Sequence, residues 1–348
     1  MPNRYASFNA DAPLLEQHSG ITIRRIPLPV HHGGVIAQVK GFMYFANEVK
    51  KLTRSSHYSL VFATSSRLMT AVLGAWVARQ KNATLYLDIR DIFVQTVSEI
   101  YSKKISLMVK PVLSLLEKWS FNRADHINLV SQGFDQYFKE RYPTAKLSWF
   151  TNGIDREFLQ MENLNDPIEK KIPGLLTVLY AGNIGEGQGL HRIIPPLAKR
   201  FEHSLKFRVI GDGGKLDGLA NSVKKLNCSN VELLPPVCRE ALIKEYQSAD
   251  IIFLHLNDHA VFRSVLPSKI FEYAATGKPI WAGVSGYAAE FIRAEIKNAV
   301  IFEPCNVLQA EEVFSALQLK HIIRTEFIEK YSRDSIMRSL ARDILSVI

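Results

Sequence analysis

The feature that most constrains this chain is the alternation of short β-rich runs with helical stretches, in two sets separated by a polar segment. The first set has runs at residues 60–63, 84–88, 127–130 and 147–150, preceded by a strand signal at 21–26. The second has runs at 176–180, 207–210, 231–234, 251–254, 279–282 and 300–302. Strands spaced by helices predict parallel sheets covered on both faces. Between the sets, residues 160–173 turn polar, with Asn163, Asn165, Asp166 and Lys170-Lys171, and form the candidate linker. A length of 348 residues also favours two domains over one. The expected architecture is α/β, with two facing Rossmann-like doubly wound domains at 1–160 and 161–325. A C-terminal helix at 326–348 is expected to pack back on the first domain.

Composition bounds the function. At 47% hydrophobic and 22% charged the chain is an ordinary globular one. Cys228, Cys238 and Cys305 are odd in number and lack metal-type spacing, which fits a reducing compartment. Met1-Pro2-Asn3-Arg4-Tyr5 lacks the layout of a secretory signal. The longest apolar stretch, 60–78, is interrupted by Thr64, Ser65, Ser66, Arg67 and Thr70, so it reads as strand, turn and helix rather than a membrane span. The expected location is cytoplasmic. The formal charge of +9 favours anionic partners: nucleotide phosphates, nucleic acid or an acidic membrane. Nucleic acid is the weakest of the three, since no zinc-finger spacing and no basic region leading into heptads occurs.

Ligands of such sheets sit beyond the carboxyl ends of strands, near helix N-termini. The run at 176–180 leads into Ala181-Gly182-Asn183-Ile184-Gly185-Glu186-Gly187-Gln188-Gly189. Its glycines allow close backbone approach and leave amides to hold a phosphate; a tight turn without ligand is the equal alternative. Neither the dinucleotide nor the Walker pattern is met. A second such loop, Gly211-Asp212-Gly213-Gly214-Lys215, follows the next strand. Two in successive units favour an anion site. The third element, Pro267-Ser268-Lys269-Ile270-Phe271-Glu272-Tyr273, opens a helix that Gly277 ends. Glu272 can accept from ribose hydroxyls and Lys269 can face a diphosphate, or both can be ordinary helix-start charges.

Together these stretches resemble glycosyltransferase family 4, of the GT-B fold. The resemblance rests on Tyr180-Ala181-Gly182-Asn183 with Gly189, Val209-Ile210-Gly211-Asp212-Gly213, the segment from Tyr246 to Asp250, and that from Pro267 to Pro279. Phe150-Thr151-Asn152-Gly153-Ile154-Asp155 is similar to the segment closing the N-terminal domain in that family. The variants at 182–185 and 267–273 resemble a subgroup of bacterial surface-polysaccharide enzymes that includes fucosamine transferases. Three departures stand out. Asn183 and Gln188 replace the family's phosphate-binding Arg and Lys. Ser264 stands where the first Glu of its Glu-x7-Glu motif would be, with Glu272 at the second. Family members also open with a strand and Gly-rich loop. Here only His31-His32-Gly33-Gly34 offers a substitute, so the N-terminal domain is expected to lack its first βα unit.

In the first half, Leu87-Asp88-Ile89-Arg90-Asp91 ends a strand at the expected cleft. Asp91 or Arg90 can orient an acceptor hydroxyl or contact the donor sugar, or form a salt-bridged loop. Thr64-Ser65-Ser66-Arg67 has similar standing, and Ser131 less. Residues 103–119 place Ile105, Met108, Val109, Val112, Leu115 and Trp119 at helical spacing among lysines. That pattern fits an ordinary core-facing helix or one lying on an anionic membrane.

The resemblance implies a retaining glycosyltransferase, independent of metal and cofactor. It would move a hexosyl or N-acetylhexosaminyl group from a nucleoside diphosphate sugar, UDP-linked, to a glycan. The acceptor would be a glycan or a lipid-linked glycan, in O-antigen, capsule, lipopolysaccharide or other surface polysaccharide synthesis at the inner face of the membrane. The expected donor-binding set is Gly182, Asn183, Gln188, Gly211, Gly213, Arg263, Ser268, Lys269 and Glu272, with Arg90 and Asp91 as catalytic candidates. An epimerase of the same fold and a paralogue that binds without transfer remain open alternatives.

Overall fold

A computed structural model describes residues 12–29, 34–65, 67–100, 103–159 and 175–348. The expected linker at 160–173, the residues before Ala12, His31 to Gly33, and Ser66 lie outside the described residues.

The first domain is a four-stranded parallel sheet of β3 (Leu60–Ser65), β4 (Thr84–Ile89), β5 (His126–Leu129) and β6 (Leu147–Ser148), in that spatial order. Alternation along β4 explains its two faces. Leu85, Leu87 and Ile89 join an apolar core with Ala71, Ala75, Ile127 and Phe138, while Tyr86 and Asp88 turn to the opposite side. The strand expected at 21–26 belongs elsewhere. Ile21–Arg24 (β2) pairs antiparallel with Leu15–His18 (β1), outside the parallel sheet, because Ser19-Gly20 reverses the chain. The strand expected at 147–150 stops at Ser148. Asn128 takes over the next backbone groups, its Oδ1 accepting from Phe150 N at 2.6 Å and its Nδ2 donating to Phe150 O at 2.9 Å.

The second sheet is parallel throughout and has six strands: β7 (Leu176–Ala181), β8 (Leu205–Ile210), β9 (Val231–Leu234), β10 (Ile251–His255), β11 (Ile280–Gly283) and β12 (Ala299–Phe302). Their order is β12-β11-β10-β7-β8-β9. The chain therefore runs outward from β7 in one direction, then returns to start beside β7 in the other. That reversal is a topological switch point, where such sheets bind ligands. Strands β7 and β10 are buried on both faces, which is why they read as continuous apolar runs.

The C-terminal stretch expected as one helix is two, Thr325–Lys330 and Arg333–Leu345. Ser332 breaks it in an extended conformation and caps the second helix through its hydroxyl. At this break the chain pairs with the exit from the first domain: Ile154 N donates to Tyr331 O at 2.8 Å and Arg333 N to Ile154 O at 3.0 Å. The second helix reaches the first sheet, where Tyr86 Oη donates to Asp343 Oδ2 at 2.5 Å.

Candidate functional site

The carboxyl ends of β7 and β8 hold a pocket of about 250 Å³, lined by Gly182, Asn183, Gly211, Asp212 and Lys269 together with the apolar Pro236, Val237 and Leu242. Each part follows from its local chain. Strand β7 ends at Ala181, whose carbonyl accepts from Tyr273 Oη at 2.9 Å, tying the loop to the helix Lys269–Ala275. Tyr180 Oη donates to Asn183 O at 2.7 Å and holds the loop's next turn. Burial raises both phenols well above their usual range, so they act as hydroxyl donors.

The two glycine loops pack backbone on backbone. A Cβ on Gly211 would stand 1.8 Å from Gly182 O, and one on Gly213 would stand 2.5 Å from Ile184 O. Three of the glycine amides already have partners within the protein. Gly182 N donates to Ile210 O at 2.9 Å, Gly211 N to Leu234 O at 3.0 Å, and Gly213 N to Asp212 Oδ1 at 2.7 Å. These glycines let two loops approach each other; they do not present those three N–H groups to a ligand.

Lys269 supplies the pocket's cation. Its Nζ donates to Glu272 Oε2 at 3.1 Å, and Tyr246 Oη donates to the same oxygen at 3.3 Å. Glu272 thus positions the lysine and does not line the pocket itself. Asn183 and Gln188 form an amide clasp: Asn183 Nδ2 donates to Gln188 Oε1 at 2.9 Å, and Gly185 N to the same atom at 3.2 Å. Gln188 is anchored from behind by His255. The Nδ1–H of that buried imidazole donates to Gln188 O at 2.6 Å, while its Nε2 accepts from Cys305 N at 3.0 Å. Burial lowers the His255 pKa to about 4, which keeps the ring neutral and fixes this tautomer.

The structure thus gathers Gly182, Asn183, Gly211 and Lys269 at one pocket, with Gln188, Gly213 and Glu272 directly behind. It does not bring in Arg263 or Ser268, which are exposed and lie outside the lining. Arg90 and Asp91 stand on the first domain at the end of β4. Arg90 is held by Asn152 Oδ1 and by Asp88 Oδ2 at 3.4 Å. Asp91 accepts from Thr96 Oγ1 at 3.4 Å, and burial raises its pKa. Thr64 and Ser65 are used structurally, donating to Asp88 Oδ2 and Arg67 O at 2.7 Å each. Ser264 turns its hydroxyl back to Val261 O at 3.0 Å, while its carbonyl accepts from Ser131 Oγ at 2.6 Å across the cleft.

Sequence reasoning missed the apolar wall Pro236, Val237 and Leu242. The signal was Pro235-Pro236 just beyond the carboxyl end of β9, a third crossover at the same edge of the sheet.

Two facing parallel α/β sheets joined at a double crossing, with a pocket at the switch-point edge of the second, define a GT-B glycosyltransferase fold. Solved structures of that fold superpose on nearly the whole chain. Sucrose-phosphate synthase from Thermosynechococcus elongatus matches with a TM-score of 0.70 at 14% identity, covering 98% of this chain and 88% of that one. HepE from Anabaena, in complex with UDP and glucose, matches with a TM-score of 0.65 at 17% identity, covering 90% and 83%. Residues 163–333 match the family model described as Glycosyl transferases group 1, so this part of the chain is a domain of that family. One curated relative is a protein named for colanic acid biosynthesis, the glycosyl transferase WcaI of Escherichia coli (strain K12). It is 28% identical over 180 residues, which are 49% of this chain and 43% of that protein. The chain therefore spans less than half the length of the curated relative it matches.

Proposed function

We propose that the chain is a retaining glycosyltransferase of surface-polysaccharide synthesis that takes its sugar from a nucleoside diphosphate donor, UDP-linked, at the pocket beside Lys269. The single observation carrying this reading is the pocket's mixed lining at the switch-point edge of the second sheet. Lys269 and Asn183, beside Asp212, share it with the apolar Pro236, Val237 and Leu242. A diphosphate fits the first group and a nucleobase the second.

When the glycosidic bond breaks, negative charge grows on the departing diphosphate. Lys269, held in place by Glu272 and Tyr246, meets that charge without moving. The sugar then projects into the cleft toward Ser131, Arg90 and Asp91. There Arg90, fixed by Asp88 and Asn152, orients the acceptor hydroxyl. The acceptor attacks on the face the diphosphate leaves, and a donor phosphate oxygen takes its proton. No enzyme carboxylate pair of the glycosidase kind is needed for that step. The acceptor is a glycan of O-antigen, capsule, lipopolysaccharide or related polymer, carried on a lipid at the inner face of the cytoplasmic membrane. The protein reaches it by peripheral contact, and among the described residues no helix is long and apolar enough to cross a membrane.

A reading as a binding protein without transfer draws on the Asn183–Gln188 clasp, which leaves Lys269 as the cation of the pocket lining. Incubation with a panel of sugar nucleotides and lipid-linked acceptors, followed by mass spectrometry of the released nucleoside diphosphate, separates the two. Acceptor-dependent release supports transfer. Donor binding without release supports the second reading, and donor conversion with no acceptor present supports an epimerase.

A further inference from the structure

The helix Lys103–Phe121 has two unlike halves. Its C-terminal half is built into the first domain, with Leu113, Leu116, Trp119 and Phe121 packed on the core. Residues 107–112 are exposed without exception. Five apolar side chains of the helix face water: Leu107 and Met108 at 79% exposure, Val109 at 39%, Val112 at 59% and, one turn beyond this stretch, Leu115 at 69%. Met108, Val112 and Leu115 recur at i, i+4 and i+7, so they form one stripe. A contiguous apolar stripe in water marks an interaction surface.

Charge says what covers it. Lys110 and Lys118 lie on the same helix, and Leu115 shares a groove with Arg79, Lys118 and Arg123. Among the described side chains of this helix the one carboxylate is Glu117. It is buried and accepts from Tyr137 and Tyr142 at 2.5 and 2.8 Å, so it adds no negative charge to the surface. A second basic groove lies between the helices Val35–Thr53 and Leu68–Lys81, the latter carrying Arg79 of the first, and is lined by Lys50, Arg54 and Lys81. Glu48 there is already engaged by Lys51 at 2.6 Å. A second copy of the chain would bring two basic rims together. An anionic lipid surface complements both the stripe and its rim.

We propose that this face, centred on Met108, Val112 and Leu115 and rimmed by Lys118, Arg79 and Arg123, is where the protein docks on an anionic membrane. The placement suits the cleft. Helix Phe93–Ile100 follows Asp91, packs along Lys103–Phe121, and touches the segment Ala260–Ser264 of the second domain. Docking therefore holds the mouth of the cleft at the lipid surface, and only the identity of what enters there rests on the transferase reading.

The test is sedimentation of the full chain with vesicles of phosphatidylcholine alone and of phosphatidylcholine mixed with phosphatidylglycerol, which needs neither donor nor acceptor. The chain is expected to sediment with the anionic vesicles and to be released by salt. Met108→Glu with Leu115→Glu, and separately Lys118→Glu with Arg123→Glu, should each lower partitioning by about tenfold or more. Leu308→Glu, at an equally exposed position outside this face, should leave it unchanged. Wild-type protein remaining in the supernatant, or patch variants that bind as well as wild type, overturns the proposal. So does an effect of the patch variants confined to oligomer size by light scattering, which would assign the face to a second copy. UDP titration of the same samples reports separately on the donor pocket. Loss of that signal with vesicle binding intact counts against the transferase reading alone.

Discussion

Ser131 on the first domain donates its hydroxyl to the backbone carbonyl of Ser264 on the second, at 2.6 Å. The contact is close on the neighbouring atoms as well, since a Cβ at Gly133 would lie 2.3 Å from that carbonyl. The residue at the position of the missing motif glutamate thus serves the closed cleft through its backbone. Ser131→Ala should cost about 1 kcal/mol of stability. Gly133→Ala should cost more, because backbone must shift. Urea titration of both variants measures this, and equal midpoints for Ser131→Ala and wild type would show that the bond contributes nothing.

Lys269→Ala should weaken UDP binding by about 1.5–3 kcal/mol, the worth of a charge-assisted bond, with the fold intact because the side chain is one-third exposed. Glu272→Gln should act in the same direction and more weakly, through the lysine it holds. Calorimetric titration gives the affinities and circular dichroism checks the fold.

Gly211→Ala and Gly214→Ala form a matched pair. The first places a methyl 1.8 Å from Gly182 O, while the second meets nothing within 4 Å. Gly211→Ala should lower the thermal midpoint and abolish donor binding together. Gly214→Ala should change neither. Thermal unfolding with and without UDP decides.

Stability should fall on mild acidification. His255 is held neutral, with its pKa lowered to about 4 by burial, and burial also lowers His126 and His191. Because the unfolded chain binds these protons near pH 6.5, the folded state loses ground as pH falls from about 6.5 toward 4. The His255 contribution is on the order of 3 kcal/mol. Urea midpoints across this window should decline in wild type and decline less in His255→Asn.

The second sheet was legible strand by strand because each buried strand is a short apolar run closed by turn residues, as Ile251–His255 shows. The position of the pocket was legible for the same reason, since glycine loops follow β7 and β8 in sequence as they do in space. The partners of the backbone were not. Nothing local says that the amides of Gly182 and Gly211 are taken by Ile210 and Leu234, because those acceptors come from neighbouring strands. The break at Ser332 was hidden likewise. Residues on both sides have helical spacing, and only the crossing with Ile154 pulls the chain out of the helix. The β1–β2 hairpin gave a strand signal at Ile21–Arg24 but no sign of which sheet it would join.

A crystal structure with UDP bound tests the central claim most directly. The account predicts the diphosphate within hydrogen-bond reach of Lys269 Nζ and the side chain of Asn183, and the base against Val237 and Leu242. UDP seated elsewhere on the molecule, with Lys269 still turned to Glu272 beside an unfilled pocket, would contradict it.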